Sequence, residues 1–335
     1  MFPPLLHKKH FLLDIETSGL NKHIDYIVCI GVTFLNETDE LTHHQWMLQL
    51  PEEEKEILSC FLEFTQRFSH VYTYGGKHFD WPFLLARCAF HQLNPSMLQS
   101  LHLIDMKKSL QHFGATRINL EDALGVIRHS TTSGKALVKV YRTYQACGET
   151  IYKTIILAHN KDELSALLSF YELYQTLYHL KHFHFIDTLK SSVSLDFSAK
   201  VPYFFTTNFQ GCYKNITLCW ESGTQILGIK VAFSYLKLKQ YLTPYKDYYY
   251  IPSQGQLLHR TLAHFVASSD KRKATKEECT IYKEDDYIPL YTTYKLDIPI
   301  WYDSVNNPYL RVNDFSASIL AAQVFYLLFS NKKTS

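Results

Sequence analysis

The sequence has no long apolar run, no paired cysteines and almost no net charge, and each absence excludes something. No hydrophobic stretch approaches the ~20 residues needed to span a bilayer, so no transmembrane helix is expected. The seven cysteines (Cys29, Cys60, Cys88, Cys147, Cys212, Cys219 and Cys279) are odd in number and never spaced CxxC, which argues against a zinc ribbon. A chain of this length needs no disulfide framework, and reduced thiols are expected. The amino-terminal MFPPLLHKKH lacks an apolar core followed by a small-residue cleavage site, so no secretory signal is expected. Lys and Arg number 34 against 32 Asp and Glu, a formal +2 with seventeen His left to titrate. That balance excludes both a histone-like polyelectrolyte and an acidic disordered tail. Neither an internal repeat nor a low-complexity tract interrupts the chain. These absences lead to the expectation of a cytoplasmic globular protein.

What is present fits two folded domains, since 335 residues at about 150 per domain give roughly two. With 46% hydrophobic residues, intrinsic disorder is excluded. Aromatics are the one excess, with 24 Tyr, 22 Phe and 4 Trp. Their faces can stack on unpaired bases, but they serve equally well as core.

The first half alternates strand-like and helix-like segments. Residues 10–14, 26–34, 43–50, 71–74 and 102–105 are short runs with strand character. Residues 52–68 follow Pro51, open on acidic residues and carry a helical apolar stripe, and 82–93 form a second helix behind Pro82. Helical patterns then dominate at 106–113, 120–126, 136–146, 150–158 and 161–179. This order is mixed α/β. Beyond residue 185 the pattern becomes short alternating segments at 201–206, 213–220, 225–233 and 235–241, read as an antiparallel sheet, with helices near 256–267, 274–279 and 315–329. Domain boundaries of 1–183 and 184–335 follow.

Three acidic sites could carry chemistry. In LLDIETSGL, Asp14 and Glu16 lie two apart at a strand end and share a face, where their charges repel unless a hard cation such as Mg²⁺ sits between them. In YGGKHFDWPFL, Asp80 stands at a helix start and could equally cap it. In LAHNKDELSALL, Asp162 and Glu163 open a helix for which Asn160 is the natural N-cap, with His159 four residues before Glu163.

Taken together, DIETSGL, GGKHFDWPFL and HNKDEL resemble the three motifs of the DEDD exonuclease superfamily, and more narrowly the bacterial YprB-type ribonuclease-H-like proteins. The runs LHLIDMKKSL with Asp105, INLEDALG and SGKALVKVYRTY support the likeness, which covers residue 8 to about residue 180 and extends weakly beyond. The resemblance implies a ribonuclease-H-like mixed sheet flanked by helices, followed by a smaller α+β domain. It also implies a metal-dependent nuclease, most specifically a 3′-to-5′ exonuclease on single-stranded DNA or RNA ends, with two Mg²⁺ or Mn²⁺ ions as cofactors. By that likeness Asp14 would bridge both ions, Glu16 and Glu163 would hold the one beside the attacking water, Asp80 would act partly through waters, and His159 would orient or deprotonate the water. Thr17, Gly76, Lys77 and Phe79 would touch substrate. Two departures stand out. Gly75 replaces the usual Asn of the second motif, and the family's fourth acid, an Asp, is replaced by Glu163 or, by a one-residue shift, by Asp162.

A chain at +2 needs a local basic patch to hold a strand. Lys271, Arg272, Lys273 and Lys276, joined by Lys107 and Lys108, are the candidates, with Tyr248, Tyr249 and Tyr250 offering a stacking face. Two other readings stay open: a nucleic-acid-binding module whose chemistry Gly75 and Glu163 have blunted, and an assembly protein that binds a protein partner.

Overall fold

The protein is described from a computed structural model covering residues 6–329 apart from 114–115, 131, 243 and 294–295. Its first half runs β1 (His10–Thr17), β2 (Ile27–Leu35), β3 (Leu41–Met47), α1 (Glu54–Thr65), β4 (His70–Thr73), α2 (Asp80–Phe90), α3 (Ser96–Ser100), β5 (His102–Asp105), α4 (Lys107–Leu110), α5 (Arg117–Ala123), α6 (Gly134–Cys147) and α7 (Thr150–Tyr178). The five strands form one mixed sheet in the order β3-β2-β1-β4-β5. β1 pairs antiparallel with β2 and parallel with β4, so it lies at the centre of the sheet.

Alternation along β1 sets the two faces of the domain. Phe11, Leu13 and Ile15 enter a core shared with Ile57, Leu58 and Phe61 of α1 and Phe83, Leu84 and Cys88 of α2. The intervening residues face α7: His10 Nδ1 lies 2.9 Å from the Tyr171 hydroxyl, and Asp14 accepts a hydrogen bond from Asn160. β2 is buried along its whole length, as a strand covered on both faces must be. A buried ion pair ties α1, α2 and β2 together. The Glu54 carboxylate accepts from Arg87 Nε at 2.9 Å, Arg87 Nη2 at 2.6 Å and the Ile27 N–H at 2.8 Å.

The helix expected to begin near residue 161 does not. Residues 150–178 are one continuous helix, and Asn160 is completely buried in its interior instead of capping it. Asparagine's preference for caps is a local bias, here overridden by its contacts with β1 and β3.

In the second half, residues 225–233 and 235–241 are strands as expected (Ile226–Ala232 and Ser234–Tyr241), but other segments differ. Residues 201–206 form no strand, and 213–220 is broken by a turn at Lys214, whose φ is +57°, so that Phe209–Tyr213 and Ile216–Trp220 are separate strands. Of the helix expected over 256–267, only Arg260–Ala263 is helical. Gln256–His259 is a strand paired antiparallel with Tyr248–Ile251, and residues 274–279 form no helix but end in a turn at 276–279. Short apolar runs do not distinguish strand from helix by periodicity. Strands Ser234–Tyr241, Thr280–Pro289, Trp301–Tyr302 and Pro308–Arg311 close a small antiparallel barrel around Leu238, Tyr287 and Trp301. The final helix is Ala317–Phe329. By contacts the chain divides into two compact units, 1–184 with 199–213 and 218–227, and 185–198 with 214–217 and 228–335. Among the described residues no helix is long and apolar enough to cross a membrane.

At the start of the parallel strands, register places His10, His70 and His102 side by side, with ring centroids 4.7 and 5.0 Å apart. Burial, then the charges of His70, His7 and His179, hold the His10 imidazole down at about 4. The unfolded chain therefore takes up this proton near pH 6.5, before the folded chain does, and stability falls as pH drops from there toward 4. In urea melts, His10→Gln is expected to lose less stability than the parent between pH 7 and pH 5; an equal loss would show that His10 does not titrate in this way.

Candidate functional site

The site is built where β1, α2 and α7 meet. Asp14 and Glu16 project from β1 on the face toward α7, while Ile15 between them points into the core. Asp14 lies opposite Gly31 of β2, and a Cβ on Gly31 would overlap the Asn160 amide. That absent side chain lets Asn160 Nδ2 reach Asp14 Oδ2 at 2.9 Å, while its Oδ1 accepts from Gln45 Nε2 at 2.8 Å. Asp80 is the first residue of α2, against Gly76. Its loop is held from the other side by Asp105, which accepts from the Gly75 N–H at 2.8 Å, the Lys107 N–H at 3.0 Å and the Lys77 N–H at 3.2 Å. Gly75 has φ of +90°, a conformation costly for a side chain other than Gly or Asn.

The electrostatics show these acids crowding one another. Burial, then repulsion from Glu16, Glu163 and Asp80, raises Asp14 well above the usual carboxylate range. Glu16 is pushed up to about 8 by burial and then by Glu163 and Asp80, with the Asn160 amide and Arg117 working the other way. Asp80 is pushed up to about 7 by burial and by Asp105, eased by Arg117. His159 stands close, its Nε2 3.5 Å from Glu163 Oε1 and 3.9 Å from Glu16 Oε1, and its Nδ1 is buried without a hydrogen-bond partner. Burial lowers its pKa, with Glu163 partly opposing. A buried imidazole of this kind is neutral near pH 7.

Glu163 differs from the other three acids. Arg117 pairs with its Oε2, and Arg128 Nη1 lies 2.8 Å from its Oε1. Both arginines are braced by Glu121, with Arg117 Nε at 2.8 Å and Arg128 Nε and Nη2 each at 2.6 Å. Arg117 is placed by local chemistry, since Thr116 caps the start of α5 by accepting the Asn119 N–H.

Asp162 is directed to the loop at residues 129–130. Its carboxylate accepts the N–H groups of His129 at 2.8 Å and Ser130 at 2.6 Å, so it serves as an anchor for that loop. The candidate substrate residues are dispersed. Thr17 donates to the Gly19 carbonyl at 2.7 Å, and the Phe79 ring packs 5.5 Å from that of Phe83. Lys77 lines a cavity of about 420 Å³ together with His78, Lys107 and Lys108. Lys271 and Arg272 lie in the second unit and are engaged already. Lys271 Nζ donates to the carbonyls of Ala263 and Val266, and Arg272 pairs with Glu278 and lies over the Tyr250 ring.

The residues of the site that sequence reading missed are Gly31, Gln45, Arg117, Glu121, Arg128 and, as a partner of Asp14, Asn160. Asn160 carried a usable signal, because it adjoins His159 and lies about one helical turn before Glu163. The arginines carried none, since their contacts with Glu163 are tertiary.

Among the described residues no three His, Cys, Asp or Glu side chains stand as a ready-made metal cage. The donor chemistry nonetheless suits a hard divalent ion at Asp14, Glu16 and Asp80, all oxygen ligands in mutual repulsion. It does not suit one at Glu163, whose oxygens are taken by guanidiniums.

The mixed sheet and its flanking helices define an α/β domain of ribonuclease-H type. Residues 11–175 match the RNase_H_2 family model, and that stretch of the chain belongs to the RNase H superfamily. No curated protein matches the chain. Among solved structures, the family B DNA polymerase of the archaeon Pyrobaculum calidifontis is similar at 12% identity and a TM-score of 0.44, covering 51% of this chain and 25% of that one. E. coli exonuclease I in complex with a dT13 oligonucleotide is similar at 11% identity and a TM-score of 0.31, covering 63% and 54%. The chain thus spans less than two thirds of these proteins, and the fold assignment rests on the strand order and the family match.

Two outcomes are expected. Because Asp14, Glu16 and Asp80 hold protons more tightly folded than unfolded, metal-free protein loses stability as pH rises from about 4 toward 8. Mn²⁺ at a hundredfold excess over its Kd should return about 2.7 kcal/mol at pH 8, and Asp14→Asn should abolish that gain in thermal melts. Gly31→Ala should cost about 1–3 kcal/mol by overpacking, with part of the loss recovered in Gly31→Ala/Asn160→Ala; full additivity in urea melts would refute the steric coupling.

Proposed function

We propose that the protein is a metal-dependent nuclease acting on phosphodiester bonds, in its most specific form a 3′-to-5′ exonuclease on single-stranded DNA or RNA ends. The observation that carries this reading is the crowding of Asp14, Glu16 and Asp80, half-buried acids each raised by desolvation and by neighbouring carboxylates, with no Lys or Arg pairing them among the described residues. Those three would hold a Mg²⁺ or Mn²⁺ ion, which when bound supplies Lewis acidity toward the phosphodiester. Asn160 fixes the Asp14 carboxylate by donating to it, and Gln45 fixes Asn160 in turn. His159 directs its Nε2 toward Glu163 and Glu16, and as a neutral imidazole it would orient or deprotonate an attacking water from that side. Thr17, Gly76, Lys77 and Phe79 border the acids in sequence and would meet the strand end, with Lys77 offering charge to a phosphate.

A binding module without chemistry is the second reading, favoured by the arginine pairing of Glu163. End-labelled single-stranded DNA and RNA, incubated with the protein and Mn²⁺, should be shortened stepwise. Asp14→Asn should slow this on the order of a hundredfold or more, as when an electrostatic stabiliser is removed. Binding without cleavage by the parent would select the second reading, and neither binding nor cleavage would overturn both.

A further inference from the structure

We propose that the acidic centre takes a single divalent ion, and that Arg117 occupies the place of a second cation. This rests on the reading of Asp14, Glu16 and Asp80 as a metal centre. Both oxygens of Glu163 face guanidiniums, Oε2 in an ion pair with Arg117 and Oε1 hydrogen-bonded by Arg128 Nη1 at 2.8 Å. The two guanidiniums are matched by two carboxylates, Glu163 and Glu121, so the cluster is neutral in itself and three acids remain for metal.

Arg117 is fixed from several sides. Its Nε donates to Glu121 at 2.8 Å, and its guanidinium lies 5.6 Å from the centroid of the Tyr74 ring and 5.7 Å from that of Phe170. Releasing Glu163 to a second ion would leave two arginines short of a partner in a half-buried site, a cost that desolvated charges bear heavily. The charge of Arg117 also reaches Asp14, Glu16 and Asp80, opposing at each the effect of burial and repulsion. A fixed positive charge on the Glu163 side of the centre disfavours a second cation there.

The test is a Mn²⁺ titration of the full chain after chelation, with free Mn²⁺ counted by electron paramagnetic resonance. One ion per chain, with no spin-coupled Mn²⁺ pair, is the expected result. Arg117→Gln should raise the count to two, whereas Arg117→Lys, which keeps the charge, should leave it at one. Two ions in the parent would overturn the single-ion proposal and leave the nuclease reading standing. No ion at all would overturn the metal centre itself. The count in the parent decides the matter even if Arg117→Gln fails to fold.

Discussion

The constraint on which the site depends is the repulsion among carboxylates brought together out of water. Desolvation and like charge both favour the protonated form, and at Asp14, Glu16 and Asp80 they act together. The arrangement persists because each acid is attached to something the fold fixes for other reasons. Asp14 and Glu16 belong to the central strand, whose alternate residues build the core, and Asp80 begins a helix whose Phe83, Leu84 and Cys88 enter that same core. Packing on one face of the sheet thus holds charge in place on the other.

Much of the first half was legible because its signals are local. Five strand-like runs and the helices between them have the right periods, and the mixed order follows from them. The continuous helix α7 was not legible, because HN before DEL reads as a cap and a start, while the burial of Asn160 depends on Gly31, more than a hundred residues away in the chain. The second half misled for another reason. Its short segments, such as 256–259, have too few residues for alternation and helical spacing to differ, so pairing partners decide their structure.

Within the site, Asp14, Glu16 and Asp80 stood out from motif and strand spacing, and in the structure Asp14 and Glu16 both feel the charge of Asp80. Between the neighbours Asp162 and Glu163, helical register in the sequence favoured Glu163, with Leu164, Leu167, Leu168 and Tyr171 read as the buried stripe beyond it. Helix geometry resolves which way each points, Glu163 sharing a face with His159 and Asp162 reaching the 129–130 backbone. The arginine pair lay outside any motif, since nothing at positions 117 and 128 marks a residue as the partner of one far along the chain.

How the molecule treats its buried acids sets off the half-buried, unpaired trio. Glu54 has Arg87 and the Ile27 N–H, Glu121 and Glu163 share two arginines, Asp162 has two backbone N–H groups, and Glu172 has the N–H and hydroxyl of Thr206. Each of these carboxylates is paired with a cation or with N–H or O–H donors of the chain itself, as buried charge generally must be. Asp14, Glu16 and Asp80 receive no such cationic partner among the described residues, although arginines stand near enough to ease them. The fold pairs its buried acids elsewhere and leaves these three short of positive charge, and that contrast is the physical ground on which the proposed metal centre rests.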